Sequence, residues 1–260
     1  YAMYLAVLAS MIHGLTVPGA IEVAQRGKGF TKGMFEWLRK APWGNPVFSG
    51  MFISLIVFGF IGGISGVVMG TEQINIIIHN TIYVPGHFHA TVAVGTTLAF
   101  MALTYLLIPV LFRRQMIFPW MAKWQPYVFG FGMTIVSLFL MGAGTLGVAR
   151  RHWDMGFAGN PLGFEYPATA YVMMAIAGIG ALFAMVGGAM YLIVTVGSVV
   201  FGKKLDPQAG FLQSFGKYLG RSAYTVDQPS QLGLAPRVVE QHGSAGFEAP
   251  GTFALAMLLL

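Results

Sequence analysis

Four stretches of this chain run on without a single acidic or basic residue: 50–70, 90–112, 127–149 and 168–201. Each is close to, or longer than, the roughly 20 residues that carry a helix across about 30 Å of hydrocarbon. In lipid the backbone polar groups of a segment must find partners within it, so runs of this length fold as helices. Residues 2–21 form a further candidate, interrupted only by His13. Composition agrees, with 56% hydrophobic and 9% charged residues, where a soluble domain carries about 25% charged. The expected fold class is all-α, a polytopic transmembrane helical bundle. About five full spans are expected, with a sixth starting near Pro250. Residues 1–260 read as a single membrane domain without internal repeats.

Charge placement sets the orientation. Alternating the spans puts Arg26, Lys28, Lys32, Arg39 and Lys40 on one side, with Arg113, Arg114 and Lys123. Lys203, Lys204, Lys217, Arg221 and Arg237 join them, and only Arg150 and Arg151 fall opposite. The positive-inside rule makes the crowded side cytoplasmic. The net charge of +6 is therefore topological, and no nucleic-acid partner is expected; the partner of these surfaces is the lipid bilayer. Cysteine is absent, which excludes disulfides, thiolate metal sites and a cysteine nucleophile. The chain opens on Tyr1, and the apolar run GTFALAMLLL breaks off at its end, so a piece of a longer protein is expected.

Along the chain, helix one is expected over about 2–24, running inward. A basic loop with Pro42 and Pro46 follows, in which GMFEWLRK could form a short interfacial helix. Helix two, about 48–70, runs outward into the polar stretch TEQINIIIHN. Pro85 and Gly86 are expected to break or bend the chain before helix three, about 86–112. Helix four, about 125–147, returns outward to ARRHWDM, and helix five covers about 168–201. Residues 202–249, with Gly, Pro, Gln and Ser, read as a cytoplasmic loop.

The chemistry concentrates in HNTIYVPGHFHATVA, residues 79–93. Successive helical residues advance by about 100°, so His87 and His89 point about 200° apart and cannot chelate one metal from one helix. They can serve two different partners. Either they are core imidazoles bonded to carbonyls or water, or they are ligands. An ionisable group at membrane depth usually marks function, and neutral imidazole is a common ligand of haem iron. Haem brings anionic propionates, and arginine forks pair bidentately with carboxylates. Arg150 and Arg151, in GVARRHWD, are placed against the positive-inside bias. They share the outer side with His79 and Asn80, which lie about two turns before His87.

Together, IHNTIYVPGHFHATVA and GVARRHWD resemble subunit I of the haem–copper oxygen reductases. The VPGHFH form and the preceding APWGNP are most similar to the B-type branch of cytochrome c oxidases. The resemblance covers about residues 5–200 and implies the C-terminal half of a subunit of 12–13 helices. Residues 1–24 would match the eighth helix and 250–260 the start of the thirteenth. It implies two haems, with His87 the proximal ligand of the high-spin haem where oxygen is reduced. His89 would be an axial ligand of the low-spin haem, and Phe88 would pack between the two. Arg150 and Arg151 would hold propionates, with His79 and Asn80 hydrogen-bonded in the same outer cluster. Copper at the binuclear centre would be held by ligands outside this chain. The implied partners are an oxidase subunit II carrying the cytochrome c docking site, cytochrome c, O2 and protons. The implied location is the inner (plasma) membrane, multi-pass, with the propionate side facing the periplasm or exterior.

Two positions depart from the family pattern. Asn75 stands where the family usually has Asp, with Glu72 nearby, which leaves the proton-exit route open. Asn80 stands where the A-type branch often has a magnesium-binding Asp, so no such ion is expected.

Ser10, His13 and Thr16 recur every three residues and spread over about 120° of one helix face. Such a stripe either bonds back to carbonyls one turn earlier or lines a water path. In the family the matching helix carries a proton-uptake route. His13 is the candidate relay, and Glu22 a candidate entrance.

The activity expected is reduction of O2 to water with electrons from cytochrome c, coupled to proton translocation. Nitric oxide reduction by the sister branch is an alternative, and a non-catalytic membrane transporter or electron carrier is another.

Overall fold

A computed structural model describes residues 2–151 and 165–205. Several side chains near the start of the first helix, Ser10 among them, fall outside that description. The expected sixth span and residues 206–249 of the expected loop lie outside the described residues as well.

The described residues are helical, without strands. In order they form α1 (Ala2–Gly27), α2 (Glu36–Arg39), α3 (Pro46–Gly70), α4 (Glu72–Ile78), α5 (Tyr83–Leu111), α6 (Pro119–Thr145) and α7 (Ala168–Phe201). Among the described residues α3, α5, α6 and α7 are long and apolar enough to cross a membrane. At about 1.5 Å per residue, the 26 residues of α1 also have the length of a span.

The helix boundaries have local causes. Asn45 caps α3: its side chain accepts from the Val47 amide at 2.9 Å, and Pro46 occupies the first turn. That is the standard use of Asn before a proline-initiated helix, and it accounts for the GNP in APWGNP. Pro85 and Gly86, expected to break the chain, instead lie inside α5. Pro85 is the third residue of that helix, where the amide has no helical partner to lose. Helix α6 likewise starts at Pro119, six residues before the expected position, and carries Pro126 within it.

The two helices nearest the histidines are not regular. Val57–Gly62 of α3 and His89–Leu98 of α5 are wound as π-helix. These two segments pack against one another. Ser54 of α3 donates its hydroxyl to the Gly95 carbonyl of α5. Below this contact Val57, Ala90, Val94, Leu98 and Phe129 form a buried cluster joining α3, α5 and α6. Wider turns of this kind recur at functional sites.

Helix α6 shares its most extensive interface with α7. Two short backbone ties then fix the ends of the bundle. At one end Thr81 pairs with Ala149, Ile82 N–H donates to the Val148 carbonyl at 2.7 Å, and Arg150 N–H donates to the Asn80 carbonyl at 3.0 Å. At the other, Arg114 pairs with Lys204, and Gln115 N–H donates to the Lys203 carbonyl at 2.8 Å. Arg113 and Arg114 thus share an end with Lys203 and Lys204, while Arg150 and Arg151 sit at the opposite end with His79 and Asn80.

Candidate functional site

The site is built on the first turns of α5, and Gly86 decides where they lie. A Cβ at Gly86 would stand 2.7 Å from the Met141 amide nitrogen and 2.9 Å from the Ser137 carbonyl of α6. Only a bare backbone allows this approach, and Ser137 uses it to donate its hydroxyl to the Gly86 carbonyl at 2.8 Å. The small residue in VPGHFH therefore presses the start of α5 onto α6. Such close helix approach through glycine is a recurrent device within membranes.

His87, next in the chain, turns to α3. Its ring lies against Gly66, where a Cβ would meet His87 Cε1 at 3.2 Å. His87 Nδ1 is 2.9 Å from Ser65 Oγ. The same hydroxyl contacts the backbone carbonyls of Ile61 and, at 3.1 Å, Gly62. A hydroxyl has one proton to donate. With that proton on a carbonyl, Nδ1–H of His87 donates to Oγ, and Nε2 keeps its lone pair.

His89 reaches the same state by another route. Its Nδ1 is 2.7 Å from the Pro85 carbonyl of its own helix. A carbonyl only accepts, so Nδ1 carries the proton and Nε2 is left as the lone-pair atom. Two imidazoles two residues apart are thus each held by Nδ1, the arrangement that prepares Nε2 for a metal. Phe88 stands between them, 54% exposed, its ring centroid 5.9 Å from that of His87. Among the described residues nothing covers its outer face.

At the outer end, Arg150 Nε is buried and has no hydrogen-bond partner among the described residues. An orphaned guanidinium nitrogen is suited to an anion. Arg151 and Asn80 have left-handed backbones, with φ of 64° and 59°. Asn adopts that region readily; Arg does so less often. Their side chains and that of His79 are exposed. Tyr166 accepts the Ala149 amide on its hydroxyl at 2.9 Å, which holds the arginine-bearing turn from the far side.

Haem iron needs an unprotonated imidazole nitrogen, and the propionates need cationic donors. Both are offered here, so the residues present fit the group. Among the described residues no three His, Cys, Asp or Glu side chains gather as a metal site. A copper ion would need ligands from elsewhere.

The structure does not bring together all the expected residues. His13 and Thr16 are exposed on α1. Glu22 is fully buried and paired with Arg26, whose Nε donates to it at 2.7 Å. Nine residues at about 100° each place Glu22 roughly opposite His13 on the helix. Asn75 is tied into the backbone: its side-chain amide donates to the Met69 carbonyl at 2.6 Å, and its own carbonyl accepts the His79 amide at 2.7 Å. Glu72 is exposed. Sequence reasoning missed Ser65, Gly66 and Tyr166. The small-residue run GGISG in α3 was the available signal for the first two.

Comparison with known proteins places this geometry in context. Residues 1–183 match the family model described as cytochrome c and quinol oxidase polypeptide I. Cytochrome c oxidase subunit 1 of Thermus thermophilus is 33% identical over 205 residues, covering 76% of this chain and 34% of that protein. The subunit of the same name from Theileria annulata is 38% identical over 50 residues, 19% of this chain and 10% of the other. A solved structure described as a heme-copper terminal oxidase dimer superposes with a TM-score of 0.60 at 22% identity, covering 89% of this chain and 45% of that one. At that identity the likeness concerns the fold. The chain spans about a third of the length of the Thermus protein.

Proposed function

This chain belongs to the cytochrome c and quinol oxidase polypeptide I family, and we propose that it carries the C-terminal half of a B-type cytochrome c oxidase subunit I. The observation that carries the proposal is the pair His87 and His89, each tied through Nδ1 and, two residues apart on one helix, pointing about 200° apart.

In this reading His87 Nε2 would hold the iron of the high-spin haem and His89 Nε2 that of the low-spin haem. Phe88, exposed between the two histidines, would pack between the haems. Arg150 and Arg151 bind propionates, with His79 and Asn80 completing the outer hydrogen-bond cluster. When bound, the haems supply electron transfer and the site of oxygen reduction, with copper held by residues outside this chain. The work of the chain itself is to fix ligand geometry, exclude water with the packed apolar faces of α3, α5 and α6, and neutralise charge at the outer end.

Electrons would come from cytochrome c through a subunit II, and the reaction would be reduction of O2 to water coupled to proton translocation. Ser10, His13 and Thr16 are assigned to proton uptake along α1. Glu22, buried on another face and paired with Arg26, serves this route only if the ion pair opens. The subunit would lie in the plasma membrane with Arg150 and Arg151 outward and residues 202–249 in a cytoplasmic loop.

The test is turnover by the assembled complex. Oxygen consumption driven by reduced cytochrome c, lost on His87→Ala, supports the reading. Turnover of nitric oxide in its place would move the subunit to the sister branch, and haem-free protein would end both enzyme readings.

A further inference from the structure

Ser65 takes no part in the assignments above, yet it is buried at 4% exposure and touches a proposed iron ligand from another helix. Its hydroxyl lies 2.9 Å from His87 Nδ1 and reaches the carbonyls of Ile61 and Gly62, at the π-helical turn of α3. Gly66, the next residue, leaves just enough room for the imidazole edge. We infer that Ser65 is a positioning residue for the His87 ligand: beside the Gly62 carbonyl, which also takes a hydrogen bond from the His87 ring, it accepts Nδ1–H, gives its own proton to the α3 backbone, and so tunes the ring plane and basicity of the imidazole.

The hydroxyl has one proton and two kinds of neighbour. If it donated to Nδ1, the ring proton would sit on Nε2 and the imidazole could not bind iron. Donation to a carbonyl reverses this and leaves Nε2 free. A carbonyl-bound hydroxyl is also a better acceptor, because hydrogen bonds in a chain polarise one another. Drawing on Nδ1–H moves electron density toward Nε2 and makes it the stronger donor, as outer partners of metal-bound histidines generally do. A stronger axial donor favours the ferric over the ferrous state. His89 differs, because its Nδ1 partner is a carbonyl of its own helix, which no side-chain exchange on α3 alters. The two sites are thus tuned separately, His87 through α3 and His89 through α5 alone.

This inference rests on His87 being the high-spin ligand, and the test separates the two. In the assembled oxidase, Ser65→Ala is compared with wild type and with Ser65→Thr, which keeps the hydroxyl. Haem content is measured first, followed by the iron–histidine stretching band of the reduced high-spin haem and the midpoint potentials of both haems. With Ser65→Ala, we expect both haems to be retained, the band to move to lower frequency, the high-spin potential to rise and the low-spin potential to stay put. Ser65→Thr should restore the band and the potential. An unchanged band and potential with haem content intact would overturn the inference and leave His87 as ligand. A shift that Ser65→Thr does not reverse would assign the effect to packing and overturn it too. Wild-type complex without a histidine-bound high-spin haem would overturn the underlying assignment, and the inference with it.

Discussion

Arg150 holds a guanidinium nitrogen out of water with no hydrogen-bond partner among the described residues, and burying such a donor unmatched costs about 1–3 kcal/mol, more where it is charged. A bound carboxylate removes that cost. Arg150→Met should therefore speed haem loss by about tenfold or more, since hydrogen bonds to charged groups contribute about 1.5–3 kcal/mol; haem transfer to apomyoglobin measures the rate. On α1, His13 is the titratable group of the polar stripe and lies on the exposed face. His13→Leu should slow proton uptake during turnover by about tenfold or more, given the size of such proton-transfer effects. Unchanged uptake, read with a pH dye, removes His13 from the route. At this scale, legibility depended on chemical rarity. Two imidazoles and two arginines stand out in an apolar chain because each is costly there. Ser65 does not, because serine in a membrane helix ordinarily bonds its own backbone; only the approach of α3 to α5 gives it a second partner.

Among the elements, α5 departs most from what its sequence suggests. Pro85 and Gly86 together look like a break, yet Pro85 sits in the first turn where its missing amide is not needed, and Gly86 is bare because α6 passes within contact. The helix begins at Tyr83, so the proline falls where helices tolerate it and the pair marks a start, not a break. The π-helical turns of α3 and α5 were illegible for a related reason: they arise where two helices meet, and no single helix states it. Gly86→Ala is a direct test of the contact. It should destabilise the subunit by about 1–3 kcal/mol, the usual cost of overpacking, seen as a lower unfolding temperature in detergent with haem loss in step. Gly14→Ala, where an added Cβ meets nothing within 4 Å and Ala favours the helix, serves as the control and should not lower the unfolding temperature.

For the whole molecule, the helix order, span positions and grouping of cations were readable from uncharged runs and charge placement, because the bilayer constrains both so strongly. The two backbone ties at opposite ends of the bundle bear out the grouping of Arg113 and Arg114 with Lys203 and Lys204, against Arg150 and Arg151. The positive-inside rule predicts that the end with Arg113, Arg114, Lys203 and Lys204 faces the cytoplasm. Single cysteines at Arg39 and Arg151, introduced into this cysteine-free chain, should label from opposite sides of sealed vesicles, with position 39 reached only from the cytoplasmic face. The proposed function requires one helix to hold two haems on opposite sides through His87 and His89. Reduced-minus-oxidised spectra of the assembled oxidase test it most directly, with carbon monoxide marking the high-spin haem. We predict that His87→Ala abolishes the carbon monoxide-sensitive band while sparing the low-spin band, and that His89→Ala removes the low-spin band. Retention of both bands in both variants would show that neither histidine is a haem ligand.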